Sequence, residues 1–220
     1  DGGTGNDTLR GGYDLGTATF TGIETLDLTN GQVTGTAAQI SSFGTIINSS
    51  NPGSQITFYL TEGGVLDLSS RLPGGYSASV SDAGSSSALQ VTGSGGNDVL
   101  SGTAFGDTLN GGGGDDDIYL YDGDSSDGGE GADEIYFYAT GVASAAGGGG
   151  NDRFYGTTLG AVAIDGGSGD DTLRADDLGT ATFTGVETLD LTNGFVYASA
   201  TQLASFSSII NSANPGSTIT

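Results

Sequence analysis

The chain repeats itself, and that restricts what it can fold into more than any other feature. Residues 1–57 recur at 165–220 with one deletion: DGGTGNDTLR becomes DGGSGDDTLR, GTATFTGIETLDLTNG becomes GTATFTGVETLDLTNG, and INSSNPGS becomes INSANPGS. About 40 of about 56 aligned positions are identical, and the period is about 164 residues. Units that repeat at a fixed period bury their apolar faces against one another, so an elongated stack is expected rather than a closed globule. The 220 residues end partway through the second copy and are expected to be a piece of a tandem array.

A shorter period sits inside the long one, carried by Gly-Gly-x-Gly-x-Asp-x-(apolar)-x. Complete copies are Gly2–Arg10, Gly111–Tyr119, Gly128–Tyr136, Gly147–Tyr155 and Gly166–Arg174; Gly93–Ser101 is a near copy, and Gly102–Asn110 keeps only the Asp and the apolar position. The starts at 93, 102 and 111 are nine apart, and those at 111, 128, 147 and 166 are 17 to 19 apart. Two nine-residue units therefore make one turn. Glycines let the loop turn tightly, and the x-(apolar)-x that follows is a short strand with one inward side chain: Leu9, Leu100, Leu109, Ile118, Ile135, Phe154 or Leu173.

These copies closely resemble the repeats-in-toxin (RTX), or hemolysin-type, calcium-binding nonapeptide family, with the match strongest over 93–174 and 1–10. The resemblance implies an all-β, right-handed parallel β-solenoid or calcium β-roll, with several Ca²⁺ ions as its cofactor. Its implied ligands are Asp98, Asp116, Asp133, Asp152 and Asp171 along one edge, with Asp7 continuing the edge in the other long copy. Loop carbonyls add to them at Gly2 and Gly5, Gly93 and Gly96, Gly111 and Gly114, Gly128 and Gly131, Gly147 and Gly150, and Gly166 and Gly169. Stacking turns about 4.8 Å apart would set these carboxylates over one another. Two such charges about 5 Å apart repel by roughly 3 kcal/mol at an effective dielectric near 20. Ca²⁺, which takes six to eight oxygens, removes that obstacle. Asp107 falls on the opposite edge, in a copy with Phe105 where the family has Gly. Asp1, Asp127 and Asp165 precede glycine pairs and either add oxygens or are simply solvated.

Composition narrows the chemistry further. The net charge is −23, with 27 acidic residues against four basic ones, all Arg, so neither nucleic acid nor an anionic membrane has a surface to bind. Cys, Met, Trp, His and Lys are absent, which removes disulfides, soft-metal sites, imidazole bases and lysine chemistry and leaves oxygen ligands. No catalytic residues are assigned and the chain is not expected to be an enzyme. Glu24, Glu187, Asp27 and Asp190 recur in both copies of the T-L-D-L segment, but their repetition fits charges bracketing a turn better than a catalytic pair. Asp122, Asp124, Ser126 and Asp133 have EF-hand-like spacing, yet Asp127 replaces the required Gly and no helix flanks them.

Four segments are expected: 1–10 ends a calcium roll, 11–92 is a calcium-free solenoid, 93–174 is a calcium-binding roll, and 175–220 begins the next calcium-free stretch. Strands are expected at 23–28, 45–48, 55–60, 65–68, 76–81 and 88–93, with a short helical turn decorating the calcium-free part at 36–43 and again at 199–206. Tyr119, Tyr136 and Tyr155 occupy one motif position and should stack within the sheet, or serve as a partner face. The function expected is a structural repeat module of a long, secreted filament, adhesin or surface-layer protein, outside the cell or on a bacterial surface. Its partners would be adjacent repeats end to end, with like filaments or glycans as further candidates and no membrane insertion. A glycan- or partner-binding module and the calcium-binding tail of a secreted enzyme are the alternatives. The family resemblance implies one-step export as an unfolded chain.

Overall fold

A computed structural model describes residues 1–11, 14–138 and 141–216. Twenty short strands and two helical turns are present among them, and all strand pairs are parallel. The chain is a parallel β-solenoid, as the repeat pattern requires. One sheet has ten strands, from Gln32–Gly35 to Ser208–Ile210, and a second has seven, from Gly64–Asp67 to Thr182–Thr184. Successive strands alternate between these sheets over Gly64–Thr184, so each turn contributes one strand to each face.

Register follows from the mostly apolar residues that the strands turn inward. In the ten-stranded sheet Val33, Phe58, Val80, Leu100, Ile118, Ile135, Phe154, Leu173 and Leu189 pair in one row, all within 1% of full burial. The second sheet carries the row Leu66, Val91, Leu109, Ser126, Ala145, Ile164 and Phe183. Slipping a strand by one residue would expose its inward side chain, at a cost of about 1.5–3 kcal/mol per large apolar group. That cost holds the loops between strands in line.

The long repeat is also a structural repeat. Leu9, Leu26 and Ile46 pair in a separate three-stranded sheet with the register of their counterparts Leu173, Leu189 and Ile209. Helical turns lie where expected, at Ala37–Ser41 and Ala200–Leu203. Thr36 and Gln39 form a reciprocal capping box, repeated by Ser199 and Gln202. The Gln39 amide also donates to the Gly16 and Ala18 carbonyls, pinning the helical turn to the preceding loop. The expected strands all form, and Gln32–Gly35 adds one more, with Val33 its buried residue.

Candidate metal centre

Apart from Gly2–Arg10 and Gly102–Asn110, each nonapeptide loop joins a strand of the seven-stranded sheet to the next strand of the ten-stranded one, and in every copy the Asp immediately precedes the following strand. Because the strands are in register, Asp98, Asp116, Asp133, Asp152 and Asp171 form a column, and all five are buried to within 1%. Each carboxylate faces the backbone of the turn before it. Asp116 Oδ1 accepts from the Asp98 N–H at 2.7 Å, Asp133 Oδ1 from Asp116 N–H at 2.8 Å, Asp152 Oδ1 from Asp133 N–H at 2.9 Å, and Asp171 Oδ1 from Asp152 N–H at 2.8 Å.

The second oxygen of most of these groups has no such partner. Oδ2 of Asp7, Asp116, Asp133, Asp152 and Asp171 is buried without any hydrogen bond. Beside it lies a carbonyl: a methyl group placed on Gly111 would overlap both Asp116 Oδ2 and the Gly128 oxygen. The same two-oxygen arrangement surrounds Gly128, Gly147 and Gly166. The first glycine of the motif is therefore required for space rather than for a left-handed backbone, which belongs to the second and fourth positions, such as Gly112 at φ +105° and Gly114 at φ +103°. A buried acceptor left unpaired costs about 1–3 kcal/mol, more when charged. Five of them approach the whole net stability of a domain, about 5–15 kcal/mol. Converging carboxylate and carbonyl oxygens with no donors are what a hard divalent cation requires, so the residues fit Ca²⁺.

Asp98 and Asp107 differ from the others. Asp98 Oδ2 accepts from the Ser94 N–H at 2.5 Å and Asp107 Oδ2 from the Thr103 N–H at 2.5 Å. Their Oδ1 atoms accept from Ala78 N–H at 2.5 Å and Leu89 N–H at 2.6 Å. Ser94 and Thr103 stand at motif position two, where the loops with an unpartnered oxygen have glycines at φ +87° to +106° (Gly3, Gly112, Gly129, Gly148, Gly167). The residue at that position thus separates a carboxylate satisfied by its own loop from one with an oxygen to spare.

On the opposite edge Asp107 has a companion that the sequence reading sets aside. Asp107 N–H donates to Asp124 Oδ1 at 2.8 Å, and Asp124 is buried; its Oδ2 accepts from the Tyr121 N–H. Asp124 keeps none of the motif glycines and shares with Asp107 only a glycine directly before the aspartate, at a position where the motif sets no residue, Gly123 and Gly106 respectively. Asp1, Asp127 and Asp165 are exposed. Glu24 and Glu187 lie in the aspartate columns: Asp7 N–H donates to Glu24 Oε2 and Asp171 N–H to Glu187 Oε2, both at 2.9 Å. Asp27 is held by Ser49 and Arg10, and Asp190 by Ser212 and Arg174. Burial opposes the charge on Asp27, but those partners outweigh it and lower its pKa.

Tyr119, Tyr136 and Tyr155 stack with ring centroids 4.8 Å apart, and Tyr121 with Tyr138 forms a second stack at 5.6 Å. The Tyr136 and Tyr155 hydroxyls both donate to Glu134.

Burial, reinforced by neighbouring carboxylates, pushes Asp116 up to about 8 and Asp133 to about 6, and burial raises Asp98, Asp152 and Asp171 as well. On the opposite edge burial brings Asp124 to about 6. A carboxyl whose pKa is raised on folding stabilises the fold fully below its unfolded value near 4 and ceases to do so as pH rises through the folded value. In chelator, the β signal in circular dichroism should therefore grow as pH falls from 8 to 4.5, with the gain beginning between pH 8 and 6. General neutralisation of the acidic surface would place the gain near 4 instead, and that result would count against the column as the cause.

A family model for the RTX calcium-binding nonapeptide repeat, in 4 copies, matches residues 1–14, 92–126 and 146–177. The matched stretches cover less than half of the chain and omit Gly128–Tyr136, although Asp133 stands in the same column with the same bonds. No curated protein and no solved structure matches the chain.

Proposed function

Because the chain carries RTX calcium-binding nonapeptide repeats, we propose that it is a structural module of a long extracellular protein, a filament, adhesin or surface-layer protein whose stiffness calcium sets. The observation that carries this reading is the long repeat. Strands Thr8–Arg10, Thr25–Asp27 and Thr45–Ile47 have the pairing of Thr172–Arg174, Thr188–Asp190 and Ser208–Ile210. A further unit can therefore continue the stack at either end and cover its open strand edges.

In this reading calcium-bearing segments at 1–10 and 93–174 alternate with calcium-free ones at 11–92 and 175–220. Adjacent repeats of the same chain are the main partners, and the module has no catalytic role. Export to a medium rich in calcium would couple folding to arrival outside the cell, since metal binding supplies folding free energy. Among the described residues no helix is long and apolar enough to cross a membrane.

Tandem proteins of one, two and four long units, imaged by electron microscopy, test the proposal. Rods whose length grows in proportion to unit number in calcium, and which lose that length in chelator, are the expected result. Compact particles whose length does not scale would exclude a filament role.

The stacked tyrosines favour a second reading, a binding face for glycans or a neighbouring filament. Tyr138 is 60% exposed and Tyr121 37%, so the rings offer a platform on the outside of the solenoid.

A further inference from the structure

In each long copy the edge that carries the nonapeptide aspartates ends on a glutamate, Glu187 after Asp171 and Glu24 after Asp7. In the regular part, Asp152 N–H donates to the Asp171 carboxylate, Thr172 N–H donates to the Asp152 carbonyl, and the Gly166 oxygen lies against Gly147 beside Asp152 Oδ2. One turn on, Asp171 N–H donates to the Glu187 carboxylate at 2.9 Å and Thr188 N–H to the Asp171 carbonyl at 3.0 Å. The Gly185 oxygen lies against Gly166, beside Asp171 Oδ2. In the first copy the Asp7 N–H to Glu24 Oε2 bond is also 2.9 Å and Thr25 N–H donates to the Asp7 carbonyl, while the Gly22 oxygen lies against Gly2 beside Asp7 Cβ.

We infer that Gly22-Ile23-Glu24 and Gly185-Val186-Glu187 are shortened half-sites, each closing a calcium column with a terminal ion held between the last aspartate and the glutamate. The inference rests on calcium filling the column. Its independent support is the last aspartate itself: Asp171 is fully buried and its Oδ2 has no partner, so an oxygen aimed at the final gap is left over. Asp7 Oδ2 is unpartnered in the same way.

The geometry explains the change of residue. The regular loop spends six residues from first glycine to aspartate, Gly166 to Asp171, whereas the closing segment spends three, Gly185 to Glu187. Without the glycine loop the backbone does not bulge outward, and the extra methylene of Glu spans the difference. The terminal ion would then tie the calcium-bearing turns to the first calcium-free turn, where Leu189 and Leu26 continue the apolar rows.

Calcium stoichiometry of the whole chain and of the Glu24→Gln, Glu187→Gln and double variants, measured by equilibrium dialysis, tests this. Gln keeps an acceptor for the aspartate N–H but removes the charge, so the column should still fold, as circular dichroism in calcium will report. Each single variant should bind one ion fewer than the parent and the double variant two fewer. Glu187→Asp should also lose the ion, because its carboxylate falls short. Unchanged stoichiometry in all three variants overturns the terminal sites while leaving the column intact. A parent chain that binds no calcium overturns both this inference and the reading beneath it.

Discussion

Stripping calcium from this chain should unfold its nonapeptide turns, with the β signal lost in EDTA and recovered on adding Ca²⁺ but not equal Mg²⁺. The expected size follows from linkage. An ion present at a hundred times its dissociation constant stabilises the state that binds it by about 2.7 kcal/mol. Four such ions would together supply about 11 kcal/mol, comparable with a typical net stability of about 5–15 kcal/mol. Removing them also leaves the Oδ2 atoms of Asp116, Asp133, Asp152 and Asp171 buried with no partner, an added penalty that the solvated unfolded chain avoids. Mg²⁺ should fail because it demands near-octahedral geometry at about 2.0–2.1 Å and gives up its water reluctantly. A spectrum indifferent to chelation would mean that the column is held by its backbone hydrogen bonds alone.

Gly128→Ala should be strongly destabilising although it adds a single methyl. Gly128 has an ordinary backbone conformation, so the loss would not come from φ; its missing side chain leaves the space that Asp133 Oδ2 and the Gly147 carbonyl oxygen occupy. Neither group can move freely, since Asp133 is fully buried and the Gly147 oxygen belongs to backbone in the next turn. Displacing either opens a calcium gap on each side of Asp133. We expect a loss of more than about 4 kcal/mol, in the range reserved for disrupted buried networks, and at least one ion fewer per chain. Gly113→Ala is the control: its φ is not positive and its nearest neighbour is the Glu130 carbonyl oxygen at 3.9 Å, so stability should change by less than about 0.5 kcal/mol. Equal tolerance of the two substitutions in thermal melts would show that the first glycine is not holding room for the carboxylate.

Some members of the site carry no nonapeptide motif, and their place is fixed by the neighbouring turns instead. Asp124 sits in a nine-residue stretch that has lost its glycine pair and its apolar residue, Ser126 replacing the latter, so only Gly123 before it signals its place. Glu187 lacks the glycine loop altogether, and its repetition in both copies reads equally well as a turn charge. What identifies both is the N–H of the neighbouring column member donating to their side chains. Asp98 shows the converse, since its motif copy is nearly complete, yet Ser94 at position two gives its carboxylate a backbone donor.

Sequence by itself determined the stack: the long and short periods, the parallel turns, the inward apolar row and the column of aspartates follow from spacing, because a periodic pattern can bury its apolar residues only in one register. Tertiary structure alone decided which carboxylates have an oxygen left over. That property depends on where a neighbouring turn points its N–H and C=O groups, and those directions are set by loop φ angles and by contacts between residues 16 to 19 apart in the chain, which no nine-residue pattern encodes.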